Sequence, residues 1–306
     1  MLELHELQVF LTAAETENFS EAGRILQISQ PAVSAQIQTL ENRLHTQLFD
    51  RAGRNIHLNE VGEALVPMVR NLLREAQRLE ESITAYQGQL VGHLTIGCST
   101  AAGKYVLPKI MARFRNHYPS VNMTCYVGAR EHALERLCAG QVDLAVSSLR
   151  VPRSGVEYQH FSDDLLVLIA PLDHPWAKAA SLCPEDLLAH PMVLRESGSG
   201  TCITLNRELA AFDMSIEMFQ PCLTLWNTEA IVQAVVEGVA PGFVSYTAAE
   251  WALHAGLVAE VPVTGLRPVQ RLYMARNTSF RTTEAQEAFW DFTFASENEL
   301  LRQHIL

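Results

Sequence analysis

The chain has 306 residues, enough for two or three domains, and its hydrophobic (48%) and charged (19%) fractions are typical of a folded rather than a disordered protein. The first residues lack the basic start and apolar run of a signal peptide, and no uncharged apolar stretch could span a membrane, so we expect a cytoplasmic protein without membrane contacts. The net charge of −11 does not favour a nucleic-acid binder, and any DNA footprint would have to be small and local.

The cysteines give no sign of a metal or disulfide framework. Six of them are scattered over residues 98–222 without a CxxC pair. Zinc ligands normally come in closely spaced pairs, so the spacing predicts no metal site, and no motif indicates a cofactor. In a reducing compartment these cysteines are expected to be small core residues, and a redox-sensing role for one of them is the alternative.

Three helical patterns occupy the first part of the chain. Apolar residues recur at helical spacing over residues 3–16, and a short helix over residues 21–26 is expected with Ser20 as its N-cap. After a tight turn, Ser29 caps a third helix that carries Pro31 in its first turn, where a missing N–H costs nothing. The buried stripe of this helix leaves glutamine and serine side chains on its polar faces.

Two short helices, a turn and a capped helix with exposed amides and hydroxyls are typical of a helix-turn-helix. Amides pair with adenine edges, and hydroxyls reach bases or phosphates. A plain three-helix bundle with a solvated glutamine face fits the spacing equally well. Acidic residues outnumber arginines in residues 1–60, so phosphate contacts would come largely from backbone amides, helix N-termini and neutral side chains.

A denser set of residues resembles the signature of the LysR family of transcriptional regulators. The matching runs are Phe19-Ser20-Glu21-Ala22, Ser29-Gln30-Pro31-Ala32-Val33-Ser34, Leu48-Phe49-Asp50-Arg51, Arg54 and Leu58-Asn59-Glu60-Val61-Gly62. The resemblance implies a winged helix-turn-helix over residues 1–58, with the third helix in the major groove of double-stranded DNA. Carried over by position, the predicted DNA-binding residues are Ser29, Gln30, Pro31, Ser34, Gln36, Gln38, Arg51 and Arg54.

Four positions depart from the family pattern. Ala35 and Gln38 stand where basic residues are common, His45 where glycine is usual, and Asn59 where threonine is usual. Asparagine is still a good N-cap, and histidine tolerates a left-handed backbone better than most residues. The missing basic residues predict weak non-specific DNA binding with a shallow salt dependence.

A long helix is predicted from Asn59 to about residue 87. Apolar residues from Leu65 to Tyr86 alternate spacings of four and three, which is an a/d seam, and Pro67 interrupts one hydrogen bond near its start. A seam of this length favours a dimerisation helix over a helix buried in its own domain. In LysR-type proteins, residues 59–90 would be the linker helix that pairs two DNA-binding domains.

From residue 91 onward, short apolar runs alternate with helical patterns, which predicts an α/β architecture with largely parallel sheets. The predicted strands are 93–99, 121–127, 142–147, 156–160, 165–170, 192–195, 222–225, 242–246 and 269–275. The predicted helices are 105–117, 130–139, 201–212, 228–237 and 283–301.

The order of these elements resembles the type 2 periplasmic-binding-protein fold of LysR effector domains. It implies a two-lobed domain over residues 91–306, with lobe I formed by 91–162 and 267–306 and lobe II by 163–266. Small anions bind at strand ends and helix N-termini, where amides are free and hydroxyls are close. The candidate effector-binding residues are Ser99, Thr100, Ser147, Ser148, Ser199, Thr201 and Asn227, with Arg150 and Arg195 as added charge. An ordinary N-cap is the alternative at each of these helix starts.

Three other functions compete with a DNA-binding regulator. Catalysis is disfavoured because Gly198-Ser199-Gly200 only superficially resembles a nucleophile elbow and neither a P-loop nor an HExxH motif is present, so we predict no catalytic residues. A transport binding protein would account for residues 91–306 alone, and a sensor without a DNA role would account for the acidic N-terminus. The family resemblance implies a dimer of dimers on a dyad-symmetric promoter site, an anionic small-molecule effector that changes DNA bending, and contact with RNA polymerase.

Overall fold

The structure, a computed structural model, describes residues 2–52, 55–85, 89–99 and 102–302, with only the backbone of residues 51, 52, 55 and 85. The chain forms two compact units, Met1–Leu90 with Ala139–Gln141, and Val91–Cys138 with Val142–Leu306. Every helix in the described ranges is too short or too polar to cross a membrane.

The first unit packs helices and a two-stranded wing around one apolar core. Its elements are α1 (Leu4–Thr16), α2 (Phe19–Leu26), α3 (Gln30–Leu44), β1 (Phe49–Ala52) and β2 (Asn55–Leu58), the two strands pairing antiparallel. The ring centroids of Phe10 and Phe19 lie 5.8 and 5.5 Å from that of Phe49, in the edge-on geometry that aromatic pairs prefer. The wing is therefore anchored to the helices through the aromatic side chain at its first position.

The cap of α2 differs from the prediction. The helix begins at Phe19, and Asn18 is its N-cap, with Oδ1 accepting hydrogen bonds from the N–H groups of Ser20 and Glu21 at 2.9 and 3.2 Å. Ser20 as the cap was therefore wrong. Because Phe19 packs in the core, the first helical turn is drawn inward and Ser20 becomes a residue within it.

Both ends of α3 follow the sequence prediction. Ser29 Oγ accepts a hydrogen bond from the Ala32 N–H at 3.3 Å, which is the expected N-cap. At the other end, His45 adopts a left-handed φ of 54°, and its N–H donates to the Asn42 carbonyl. Histidine therefore takes the conformation that glycine usually supplies at a helix C-terminus.

The first unit also contains a long helix, α4 (Glu60–Ala85). Asn59 caps it, with Oδ1 accepting from the Gly62 N–H at 2.9 Å and Nδ2 donating to the Gln47 carbonyl at 2.8 Å. A Cβ at Gly62 would lie 2.3 Å from the Leu48 carbonyl oxygen, so this position must be glycine for the helix to approach the wing so closely.

The apolar seam of α4 is buried only near its start. Val69 is 3% exposed, whereas Leu72, Leu79 and Ile83 are 47, 65 and 56% exposed. Tyr86, the last residue of the predicted seam, lies outside the described residues. Exposed leucine and isoleucine at a/d spacing are typical of a helix that packs on a second helix.

The second unit is built on a mixed sheet. Its strands are β3 (Gly92–Ser99), β4 (Val121–Gly128), β5 (Leu144–Ser147), β6 (Val156–Pro171), β7 (Met192–Arg195), β8 (Pro221–Leu225), β9 (Gly242–Ser245), β10 (Val258–Val261) and β11 (Val269–Asn277). They lie in the order β4-β3-β5-β11-β6-β9-β7-β8, with β10 paired to β6. The helices are α5 (Leu107–His117), α6 (Arg130–Cys138), α7 (Gly200–Leu209), α8 (Thr228–Val236), α9 (Tyr246–His254), α10 (Glu284–Phe294) and α11 (Glu299–Arg302).

Two long strands join the halves of this unit. β6 is one continuous strand, not the two separate strands predicted over 156–160 and 165–170, because Ser162–Leu165 remain paired to β11. The expectation of largely parallel sheets is also only partly right. β3 is parallel to β4 and β5, and β7 is parallel to β8 and β9, but β6 and β11 run antiparallel to their partners. The sheet has both parallel and antiparallel pairs because β6 and β11 carry the chain from one half of the unit to the other and back.

Other elements of the second unit also differ from the prediction. β10 and α9 were not predicted, and Tyr246, assigned to a strand, instead begins α9. The predicted helix over 283–301 is divided into α10 and α11, because Ala295 has an extended ψ of 143°.

Candidate functional site

The exposed side of α3 is the candidate DNA-binding surface of the first unit. At about 100° per residue, Ser34 and Gln36 project roughly 160° apart, so they lie on opposite flanks of the helix. Both are half-buried, and Ala35 between them faces directly away from the core. The exposed predicted contact residues in and before this helix are Ser29, Gln30, Pro31 and Gln38.

The positive charge near this surface is partly neutralised within the unit. Arg24 forms an ion pair with Glu21 at 2.5 Å, and Arg43 pairs with Glu3 and Glu6 at 3.0 and 3.2 Å. The side chain of Arg51 and the whole of Arg54 lie outside the described part of the structure. Each pairing lowers the charge available to phosphates, which agrees with the shallow salt dependence expected from the sequence.

A polar cleft in the second unit gathers most of the other candidates. It is small, with a cavity volume of about 60 Å³, which is room for a few water molecules or a small solute rather than a large ligand. Its lining comes from both halves of the unit. The lining residues are Ser99, Gly128, Ala129, Arg130, Glu131, Ser148, Asp164, Arg195, Glu196, Gly198, Ser199, Gly200, Thr201, Thr228, Ser245 and Gln270.

Four of the predicted effector-binding residues lie in this cleft: Ser99, Ser148, Ser199 and Thr201. Ser147 does not, since its hydroxyl donates to the Arg130 carbonyl and accepts from the Leu149 N–H, both at 3.1 Å. Asn227 is the N-cap of α8 and accepts from the Glu229 and Ala230 amides, while its neighbour Thr228 lines the cleft instead. Thr100 lies outside the described residues.

Two serine hydroxyls in the cleft are buried and have no hydrogen-bond partner within the part of the chain that the structure describes. They are Ser99 Oγ, at the end of β3, and Ser148 Oγ, just after β5. Buried polar groups are nearly always satisfied, so an unpaired hydroxyl lining a cavity is a binding position for a ligand or water. The two hydroxyls come from neighbouring strands and therefore open on the same edge of the sheet.

The N-terminus of α7 forms the opposite wall. Ser199 Oγ caps this helix by accepting from the Cys202 N–H at 3.1 Å. A Cβ at Gly200 would lie 1.8 Å from Gln270 Nε2 and 2.7 Å from Ser148 Oγ, so glycine lets the two walls approach. The free amides and positive dipole end of a helix favour an anion at this place.

The arginines of the cleft are already paired. Arg195, 9% exposed, makes two hydrogen bonds to Glu196 at 2.7 and 2.8 Å and a third to Thr228 Oγ1 at 2.8 Å. Arg130, which sequence reasoning missed, pairs with Glu131 at 2.8 Å. Arg150, suggested as added charge, is absent from the cleft lining and lies 5.4 Å from the Tyr273 ring centroid. An anion would therefore be held mainly by amides and hydroxyls, because the charges of these arginines are already balanced by glutamates.

Asp164 is the cleft residue that sequence reasoning missed most clearly. It lies on β6, is 5% exposed, and burial raises the pKa of its carboxyl to about 7, while a hydrogen bond from Ser245 Oγ at 2.6 Å acts in the opposite direction. An acidic residue in a predicted strand gives no signal of this burial. The described residues contain no cluster of three or more His, Cys, Asp or Glu arranged to hold a metal ion.

Comparisons with known proteins cover both units. A family model described as "LysR substrate binding domain" matches residues 87–296, and one described as "Bacterial regulatory helix-turn-helix protein, lysR family" matches residues 4–63. The "HTH-type transcriptional activator CmpR" of Synechocystis is 30% identical over 297 residues, which are 96% of this chain and 95% of the relative.

Two solved structures are similar in fold. Full-length CbnR complexed with its target DNA has a TM-score of 0.65 at 20% identity, covering 95% of this chain and 99% of that one. The regulatory domain of CcmR from Synechocystis, in complex with 2-PG, has a TM-score of 0.59 at 24% identity, covering 66% of this chain and 95% of that one.

Proposed function

Because the chain belongs to the LysR family of transcriptional regulators, we propose that it binds a dyad-symmetric promoter site and that a small anion in the cleft changes this binding. Residues 1–58 act as the winged helix-turn-helix, 59–90 as the linker helix and 91–306 as the effector domain, with lobe I over 91–162 and 267–306 and lobe II over 163–266. The protein acts in the cytoplasm, has no catalytic activity, and contacts RNA polymerase at the promoter.

DNA recognition is proposed for α3 and the wing. The exposed amides of Gln30 and Gln38 are suited to base edges, and the positive dipole end of the helix at Ser29 and Pro31 favours a phosphate nearby. Ser34 and Gln36 contact DNA from opposite flanks of the helix, and Arg51 and Arg54 contact the backbone from the wing. In this arrangement the glutamines supply the sequence specificity, and charged side chains contribute little to the affinity for DNA.

The anion site rests on one observation above all: Ser99 Oγ and Ser148 Oγ are buried, lie opposite the N-terminus of α7, and have no hydrogen-bond partner among residues 2–52, 55–85, 89–99 and 102–302. Hydroxyl donors and a helix N-terminus together bind an oxyanion without a full counter-charge. Thr201 adds a further hydroxyl at the same wall, and Thr100 is proposed to extend the site beside Ser99. Ser147 and Asn227 support this site through the backbone rather than by direct contact.

The effector is proposed to be a small anion with an oxyanion group. CcmR, similar in fold, was solved with 2-PG in its regulatory domain. The small volume of the present cleft and its donor-rich walls favour a ligand of the same charge class and of limited size.

A dimer of dimers is proposed as the assembly. The exposed stripe of Leu72, Leu79 and Ile83 on α4 is the surface that pairs two linker helices. When two linker helices pair, the two α3 helices are held at a fixed distance from each other. Each α3 can then bind one half-site of a dyad-symmetric promoter site, as in other helix-turn-helix dimers. A ligand that binds one conformation of the effector domain better than another then shifts the assembly between two arrangements.

Calorimetric titration of the full-length protein with oxyanions tests the anion site. Ser148→Ala is expected to weaken binding about tenfold or more, because a hydrogen bond to a charged group is worth about 1.5–3 kcal/mol. Ser181→Ala is the control, since it removes an exposed hydroxyl of the same unit that bonds the Pro262 carbonyl and Thr264 and does not line the cleft; it is expected to leave affinity unchanged. Equal affinities for all three proteins would contradict the proposed site.

A further inference from the structure

Asp164 brings a carboxyl into a cleft whose other features favour an anion. Its Oδ1 accepts a hydrogen bond from Ser245 Oγ at 2.6 Å, and Ser245 Oγ is in turn 2.7 Å from Thr247 Oγ1. Its Oδ2 is buried and has no hydrogen-bond partner among the described residues. Because Oδ1 is occupied as an acceptor, a proton on this carboxyl belongs on Oδ2, the atom left for the ligand.

The charged groups around Asp164 are engaged with one another. Within the described residues no ion pair joins any of them to Asp164, so its charge is not balanced by a neighbouring cation. Lys104 and Tyr105 contact Glu229 at 2.8 and 2.7 Å, and the cleft arginines pair with the glutamates next to them in the chain. The titratable or charged groups that line the cleft or face it from packed elements are Lys104, Tyr105, Arg130, Glu131, Arg195, Glu196 and Glu229.

An ionised Asp164 would lie beside the bound anion as an uncompensated like charge. Two like charges in a poorly solvated site repel strongly, and the usual outcome is that one of them takes up a proton. Burial already raises the pKa of Asp164 to about 7, so the neutral form is accessible near neutral pH without a large free-energy cost. The neutral carboxyl then changes from a repelling group into a hydrogen-bond donor.

We infer that Asp164 is a specificity-determining residue of the anion site, which binds its ligand with the Asp164 carboxyl protonated and with Oδ2–H donating a hydrogen bond to the anion. The inference rests on the proposed function of the cleft as an anion site. Binding takes up one proton from solvent whenever Asp164 is ionised in the free protein, and dissociation returns it; no covalent bond forms or breaks. The ligand class that follows is a fully deprotonated oxyanion, which offers only acceptors.

Sulfate and oxalate are suitable probes because neither takes up a proton between about pH 6 and pH 8. Isothermal titration of the full-length protein is expected to show an affinity about tenfold lower at the upper pH, since only about a tenth of Asp164 is then protonated. Repeating the titration in buffers of different ionisation enthalpy counts the protons, and close to one proton per anion is expected at the upper pH.

Asp164→Asn keeps the shape of the side chain, accepts from Ser245 through Oδ1 and donates permanently through Nδ2. This variant is expected to bind sulfate at the upper pH as tightly as the unmodified protein does at the lower pH, with a flat pH profile and no proton uptake. Asp163→Asn is the matched control. Asp163 is adjacent, 45% exposed and paired with His160 at 2.8 Å, so its variant should keep the original profile.

The outcomes separate this inference from the proposed function. Oxyanion binding that is independent of pH, without proton uptake, would overturn the role of Asp164 and leave the anion site standing. Weaker binding by Asp164→Asn at every pH, with normal folding by circular dichroism, would show that a permanent hydrogen-bond donor at this position does not hold the anion and would also overturn it. Failure of the unmodified protein to bind any oxyanion would overturn the anion site and this inference together.

Discussion

Replacing Asp164 with asparagine tests how burial acts on this carboxyl in the absence of ligand. The side chain is 5% exposed, and burial raises its pKa from an ordinary 3.8 to about 7. Between these two values the native state holds a proton that the unfolded chain lacks, so this group makes stability fall as the pH rises through that window. Above the native pKa the full effect is reached, and the free energy of unfolding is lower by about 4 kcal/mol than it is below both pKa values.

Asparagine keeps the hydrogen bond from Ser245 and cannot ionise, so Asp164→Asn should remove this loss. The free energy of unfolding, measured by urea denaturation, is expected to rise by about 4 kcal/mol at about pH 8 and by about 2 kcal/mol at about pH 5. Asp163→Asn, at an exposed neighbouring position, should change stability little at either pH. Equal stabilities of the unmodified protein and Asp164→Asn at the higher pH would refute the assignment of a buried, unbalanced carboxyl.

Leu79→Asp places a charge on the exposed stripe of α4 and should disrupt pairing of the linker helices, seen as a smaller mass by light scattering. Asn71→Asp, on the same helix but off the stripe, should leave the mass unchanged; equal effects of both variants would argue against the stripe as an interface. Gly62→Ala should lower the free energy of unfolding by about 1–3 kcal/mol, because its Cβ would overlap a backbone oxygen that cannot move aside alone. Full stability of that variant in urea would show that α4 can shift away from the wing. Gln38→Ala should cost about 1–3 kcal/mol of binding at the promoter site by fluorescence anisotropy while leaving the salt slope unchanged, because it removes a base contact rather than a phosphate contact; a uniform loss on all sequences would assign Gln38 to the backbone instead.

Features that depend on neighbours in the chain could be predicted from the sequence. Ser29 with Pro31 two residues later is a local start signal, and the structure has α3 beginning where these residues indicate. The cap of α2 was less predictable, because Asn18 and Ser20 are both competent caps. The choice between them follows from the packing of Phe19 on the wing, which is a tertiary contact.

The residues that line the cleft could not be predicted from their neighbours in the chain. Ser147 and Ser148 are adjacent and chemically identical, and only the position of β5 between β3 and β11 decides which hydroxyl faces the cleft. Asp164 is buried where β6 pairs with β11, with Gln270 as its register partner, and where Ser245, at the end of β9, donates a hydrogen bond to its carboxyl. Neither arrangement leaves a periodic pattern in the sequence, since both depend on strands distant along the chain.

Titration of the full-length protein onto the intergenic DNA beside its own gene, with and without the oxyanion that binds the cleft, tests the central claim most directly. We expect saturable binding that survives competitor DNA, a two-fold-symmetric footprint, and a change in footprint or bend when the anion is added, a change that Ser148→Ala reduces. Binding that is blind to sequence and lost at moderate salt, or a footprint unaltered by an anion known to occupy the cleft, would contradict the account.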